Sequence, residues 1–342
     1  MNKRVSLKDI AQKVGVSTAL VSYVLNNQKQ DRINKEVAQR IRNTAKELNY
    51  RTNLIARSLK TNKTFTIGLI VADISNPYFS SLARIIEDEA DKYNYTVVFG
   101  SSDEDAQKSG KLIDVFLNRH VDGLIIAPAQ ATTEQILSLQ QQDIPFVLID
   151  RYFPNCKTNH VALDDYKAAY TAVKHLIDRG YKRIGMISYD SQLFNLQERK
   201  RGYLAALKDN TIPHKKNWLR ELGSGPVRQA VEKSLQELLS LTQPVDAILF
   251  ASNTIALHGL KHINTMGIRV PEELAIVSFD ETEAFDLFYA PLTYIKQPLL
   301  EMGQMATRIL LESIGRNNKI TQVNLEGELI IRQSTTPKTK KR

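Results

Sequence analysis

The first fifty positions carry apolar residues at helical spacing, and beyond residue 64 they give way to short unbroken apolar runs. Leu7, Ile10, Ala11 and Val14 fall at i, i+3, i+4 and i+7, one face of a helix. Ser6 followed by Asp9 has the form of a capping box at its start, and Gly15 ends it and supplies the turn. Ser17 caps a second helix, with Val16 and Val21 as a hydrophobic staple and Val21, Val24 and Leu25 as its inner stripe. Asn34 opens a third helix along Val37, Ile41, Ala45 and Leu48. Later, TFTIGLIVADI, YTVVFGSS, VDGLIIAP, IPFVLID, RIGMIS, DAILFAS and LAIVSFD have the length and composition of buried parallel strands. Amphipathic stretches such as SSLARIIEDEADKYN and SGKLIDVFLNRH separate them. The prediction is an all-α head followed by a doubly wound, parallel-sheet α/β body.

Helix, glycine turn and second helix within about twenty residues is the helix-turn-helix arrangement, whose second helix enters the DNA major groove. Thr18, Ala19, Ser22 and Tyr23 on its outer face are small or planar, as contact with base edges and phosphates requires. Ser6, Ser17 and Asn26, at the ends of the same two helices, are assigned to this DNA-binding face as well. Charge agrees. Residues 1–63 hold 14 Lys and Arg against 4 Asp and Glu, a balance of +10, and the closing KTKKR adds +4. With +9 on the whole chain, residues 64–337 carry −5. A basic head on a mildly acidic body implies a polyanionic partner for the head alone.

Other chemistry is thin. One cysteine, Cys156, excludes a disulfide framework and suits a reducing compartment. No secretory h-region follows the basic N-terminus, and no apolar run nears the ~18 residues of a membrane span. The expectation is a cytoplasmic protein with no membrane partner. Neither G-x-G-x-x-G nor G-x-x-x-x-G-K-[ST] is present, which argues against a dinucleotide enzyme or a phosphate-cradling NTPase. His258 and His262 are spaced i, i+4 but lack an evident third metal ligand, so they are read as surface histidines, and Trp218 as packing. No nucleophile–base pair stands out. The chain is expected to be no enzyme and to need no cofactor or metal.

Two long stretches, VSLKDIAQKVGVSTALVSYVLN and AKELNYRTNLIARSLKTNKTFTIGLI, resemble the head of the lactose/galactose repressor (LacI/GalR) family. The similarity runs on in order through DISNPYFSSLARIIEDEA, RHVDGLIIAP, HLIDRGYKRIGMIS, ERKRGYLAAL and VSFDETEAFDLFYAPLTYIKQPLLEMG. It implies a helix-turn-helix domain over 1–50, a hinge helix over 51–63 and an effector-binding, dimerising body over 64–337, with a basic tail at 338–342. The body would comprise two periplasmic-binding-protein-like subdomains, one from about 64–163 and 295–325, the other from about 164–294 and 326–337. PLTYIKQP would return the chain across the cleft between them. By the resemblance, Asn53, Ala56 and Leu59 of the hinge contact DNA, Leu59 as an apolar wedge in the minor groove. The chain departs from the family pattern at Thr52, usually Pro, at Tyr23, often Arg, and at Asn253, usually Asp.

Ligands of such sheets sit at the carboxyl ends of the strands. Those positions hold Asn76, Tyr78 and Phe79, then Ser101 and Asp103, then Asp150, and in the second half Asp164, Arg199 and Asp280. By family match Tyr78 and Phe79 stack on a ring, Arg199 and Asp280 hydrogen-bond hydroxyl or anionic groups, Asp164 lies near the crossover, and Asn253 joins the set. The function implied is a ligand-responsive transcriptional regulator, a repressor, binding a pseudopalindromic double-stranded DNA operator as a homodimer. Its effector would be a sugar or sugar derivative. The tail shows no apolar heptad, which favours a dimer over a tetramer. A sugar-transport component and a cytosolic sugar-processing enzyme are the competing readings.

Overall fold

The computed structural model describes residues 5–26, 28–50, 63–223, 225–315 and 319–336. The chain divides into two compact units, Met1–Thr64 and Phe65–Arg342. Among the described residues of the first lie helices α1 (Leu7–Val14), α2 (Thr18–Leu25) and α3 (Lys35–Glu47). The capping box is formed: Asp9 N donates to Ser6 Oγ, and Ser6 N donates to the Asp9 carboxylate at 2.7 Å. Gly15 ends α1 at φ 78°, a left-handed value that suits a residue without Cβ. Ser17 accepts from Leu20 N, and Asn34 accepts from Glu36 N and Val37 N. These caps satisfy helix N–H groups that have no intrahelical partner. Ile10, Val21, Val24 and Ile41 close a core that belongs to the head alone. The hinge residues Asn53, Ala56 and Leu59, with Thr52, and the basic tail lie outside the described residues.

The second unit holds two six-stranded sheets. In the first half run β1 (Thr66–Val71), α4 (Pro77–Asp91), β2 (Thr96–Ser101), α5 (Ala106–Asn118), β3 (Gly123–Ile126), α6 (Thr133–Gln141), β4 (Phe146–Ile149) and β5 (His160–Leu163). The second half continues with α7 (Asp165–Asp178), β6 (Ile184–Tyr189), α8 (Phe194–Asp209), β7 (Leu219–Leu222), α9 (Val227–Leu239) and β8 (Ala247–Phe250). Then come α10 (Asn253–Met266), β9 (Ala275–Phe279) and β10 (Thr293–Lys296). Helix α11 (Leu299–Ile314) and β11 (Gln322–Leu325) return to the first half, and β12 (Glu328–Ile330) to the second. The sheet orders are β11-β5-β4-β3-β1-β2 and β12-β10-β9-β8-β6-β7. All pairings are parallel except β10 with β12.

Each predicted apolar run contains a strand, with one correction: β2 is an edge strand, and Phe99 is 61% exposed. Strands β5, β7, β11 and β12 went unread because HVAL, LREL, QVNL and ELI are too short or too polar for the apolar-run criterion. PLTYIKQP supplies β10 before the chain crosses. The boundary expected at 294–295 falls near 297, because Ile295 and Lys296 still pair with β12. Three crossings between the halves place the carboxyl ends of both sheets around one cleft.

Candidate functional site

The head offers one polar face. Thr18 and Ala19 are exposed on α2, and Ser22 and Tyr23 are half-buried. Ser6 and Ser17 spend hydroxyl capacity on capping, so each serves the helix ends first. Asn26 turns back on the helix, its amide donating to Ser22 O at 2.8 Å. Lys29 was not singled out from sequence. Its Nζ stands 4.4 Å over the Tyr23 ring and 3.4 Å from the phenol oxygen, a cation–π contact that orients the ring. Nothing local signals that pairing.

The body's cleft has a volume of about 400 Å³, within the range for small-ligand sites. Asn76, Tyr78 and Phe79 enter it after β1, Asp150 after β4, Arg199 from α8 and Asp280 after β9. Asn76 caps α4 by accepting from Tyr78 N, and its Oδ1 also accepts from Asn253 Nδ2 at 2.9 Å, linking the two halves. A second link runs from Ser191 Oγ to Gln130 Oε1 at 2.9 Å. Between them lies a buried chain: Tyr78 donates to Asp150 at 2.8 Å and lies 3.2 Å from Gln297 Oε1, and Gln297 Nε2 donates to Asp280 at 2.7 Å. Tyr78 and Phe79 meet edge to face at 4.9 Å.

Four predicted residues do not line the cleft: Ser101, Asp103, Asp164 and Asn253, the last reaching it only through Asn76. Asp103 pairs with Lys108 and accepts from Ser101, because the left-handed backbone at Asp103 and Glu104 turns the following side chain, Glu104, into the cleft. Asp164 caps α7 by accepting from Lys167 N. Its neighbour Asp165 is the buried carboxylate, 2.6 Å from Arg199 Nε. Sequence reading also passed over Arg151, which forks onto Glu104 with two 2.7 Å bonds and reaches Asp150 at 3.1 Å. Tyr189, Asn195 and Gln297 complete the walls. His258 and His262 are half-buried rather than on the surface, and among the described residues no group of three His, Cys, Asp or Glu could hold a metal ion. Trp218 is buried in the core of the second half.

Burial dominates the electrostatics. It pushes the Asp165 carboxyl up to about 7 despite Arg199, and pushes Asp280 above the usual carboxylate range. The Tyr78 phenol lies well above its ordinary value, first through burial and then through Asp150. Burial alone would lower the Arg151 guanidinium, but Glu104 and Asp150 outweigh it and hold it raised. Arg199 lies 4.0 Å over the Phe279 ring and donates to Ala251 O at 2.6 Å. The cleft is therefore a set of charged groups already engaged with one another, able to hold a small polar molecule between aromatic walls.

Residues 6–53 match the profile of bacterial regulatory proteins, lacI family, and residues 173–335 that of a periplasmic binding protein-like domain. The HTH-type transcriptional repressor CytR of Escherichia coli K12 is 31% identical, over 96% of each chain. A LacI family transcriptional regulator from Enterococcus faecium, solved with bound ribose, is 28% identical with a TM-score of 0.70, covering 80% of this chain and 99% of its own. The lac repressor dimer bound to operator and an anti-inducer shares the fold at a TM-score of 0.85 and 23% identity, over 98% and 100% of the two chains. Among the described residues no helix is long and apolar enough to cross a membrane.

Proposed function

Because the chain belongs to the lacI family of bacterial regulatory proteins, we propose that it is a repressor whose head binds operator DNA and whose cleft binds a sugar or sugar derivative that alters that binding. The observation that carries this reading is the pairing, in one chain, of a capped helix-turn-helix with an open small-residue face and a cleft of buried polar groups between two α/β halves. Thr18, Ala19, Ser22 and Tyr23 read base edges, and the surrounding Lys and Arg bind phosphates. The hinge residues Asn53, Ala56 and Leu59 would add minor-groove contacts. Two copies bind a pseudopalindromic site; the lac repressor, which shares the fold, was solved as a dimer bound to operator. The protein works in the cytoplasm, at the nucleoid when bound to DNA, as a receptor rather than an enzyme.

Effector action follows from linkage. A ligand that prefers one arrangement of the two halves shifts the population toward it, by no more than its differential affinity. The Asn76–Asn253 and Ser191–Gln130 links are the contacts such a shift would break or keep. The test is a gel-shift of the full chain on DNA from its own upstream region, with and without a panel of sugars. Specific retardation of that DNA and not of unrelated DNA, altered by one of the sugars, is the expected result. Equal affinity for both DNAs overturns the regulator reading. Specific binding that no sugar alters overturns the effector reading.

A further inference from the structure

Resting on the reading of the cleft as the effector site, we propose that it selects an uncharged, hydroxyl-rich ligand and refuses the phosphate ester of the same compound. Five carboxylates line the cleft, those of Asp73, Glu104, Asp150, Asp190 and Asp280. Only Arg151 and Arg199 oppose them, and no lysine lines the wall, so the balance is −3. Holding Asp280 neutral still leaves it at −2.

Neither guanidinium is free of partners: Arg151 has all three nitrogens engaged, and Arg199 two of its three. Arg151 has both terminal nitrogens on Glu104 and Nε on Asp150. Arg199 has Nε on Asp165 and Nη1 on the Ala251 carbonyl, with its plane lying over Phe279. A phosphate bound in a dry cleft needs a guanidinium fork or an ammonium group directed at it. Arg151 could offer a fork only by giving up its bonds to Glu104, and Arg199 has a single terminal nitrogen without a protein partner among the described residues. Helix ends give little help. The first turns of α4 and α10 are capped by Asn76 and Ser252. That of α8 is uncapped and is worth about half a positive charge, too little to reverse the balance.

Hydrogen-bond supply points the same way. Tyr78 has given its one proton to Asp150, and Gln297 one of its two amide protons to Asp280. The second Asp280 oxygen has only a 3.5 Å contact, from Asn253 N. Asn195, 6% exposed, keeps a buried Oδ1 with no partner. These oxygens require donors from the ligand. Each hydroxyl of a sugar donates one proton and accepts others, whereas a phosphate dianion brings acceptors only. A buried acceptor left facing another acceptor is unfavourable.

The experiment uses the full-length protein and matched pairs: ribose, glucose, galactose, fructose and cytidine, each beside its monophosphate, followed by thermal shift and titration calorimetry. For whichever parent compound binds, its monophosphate is expected to bind at least tenfold more weakly. Asp190→Lys, an exposed substitution at the mouth, is expected to narrow that gap at least threefold. A monophosphate that binds as tightly as its parent overturns the charge selection and leaves the effector reading standing. A gap unchanged in Asp190→Lys overturns the electrostatic cause. Binding by no member of either series overturns the sugar-effector reading itself.

Discussion

Asp150 and Asp280 occupy equivalent places, after the last residue of a central strand in each half, with φ of 68° and 69°. Aspartate tolerates that left-handed backbone better than most residues, and both side chains are turned into the cleft. Arg199 shows how structural and ligand roles overlap. Arg199→Ala strands the buried Asp165, at an expected cost of ~3–5 kcal/mol in urea unfolding. Arg199→Met with Asp165→Leu is expected to recover most of that cost. A loss below about 1 kcal/mol in the single variant would show that water reaches Asp165. His160 supplies a pH signature. It stacks on Tyr152 at 3.9 Å, and burial lowers its imidazole to about 4 from an ordinary 6.5. A base depressed in the fold stabilises above 6.5, and that stability is lost as pH falls toward 4. His160→Phe keeps the stack and is expected to flatten the Tm profile between those values. An unchanged profile would place the acid sensitivity elsewhere.

Elements were legible where their signals are local. The capping box, the left-handed glycine and the two N-caps of the head depend on residues within four positions of each other. Packing between elements was not. Helices α7 and α8 approach so closely that a Cβ on Gly202 would stand 2.2 Å from Tyr166 O and 3.0 Å from Ala169 Cβ. Since backbone cannot yield as a side-chain tip can, Gly202→Ala is expected to cost ~1–3 kcal/mol, read from the shift in urea midpoint. A cost under about 0.5 kcal/mol would mean that the two helices part freely. The edge position of β2 is a similar case. YTVVFGSS has the β-branched and aromatic content of a strand, and its place at the end of the strand order leaves Phe99 in solvent.

For the molecule as a whole, separate cores imply separable functions. The head closes around Ile10, Val21 and Ile41, and the body around its own two sheets. Removing residues 1–61 is expected to abolish DNA binding while ligand affinity by calorimetry stays within about twofold. Operator binding by the truncated chain would place the DNA site in the body. What the sequence determined by itself is whatever neighbouring residues decide: the head's helices and caps, the central strands, the charge division, and the chemistry of the residues following strand ends. Tertiary structure alone decided which of two adjacent carboxylates, Asp164 or Asp165, meets Arg199, and that Glu104 rather than Asp103 faces Arg151 across 47 positions. It also decided that both arginines of the cleft are already paired. The reason is physical. A cap or an apolar stripe is a short-range pattern, whereas the partner of a buried charge is set by where separate turns come together, and a one-residue change of direction exchanges one acid for the next.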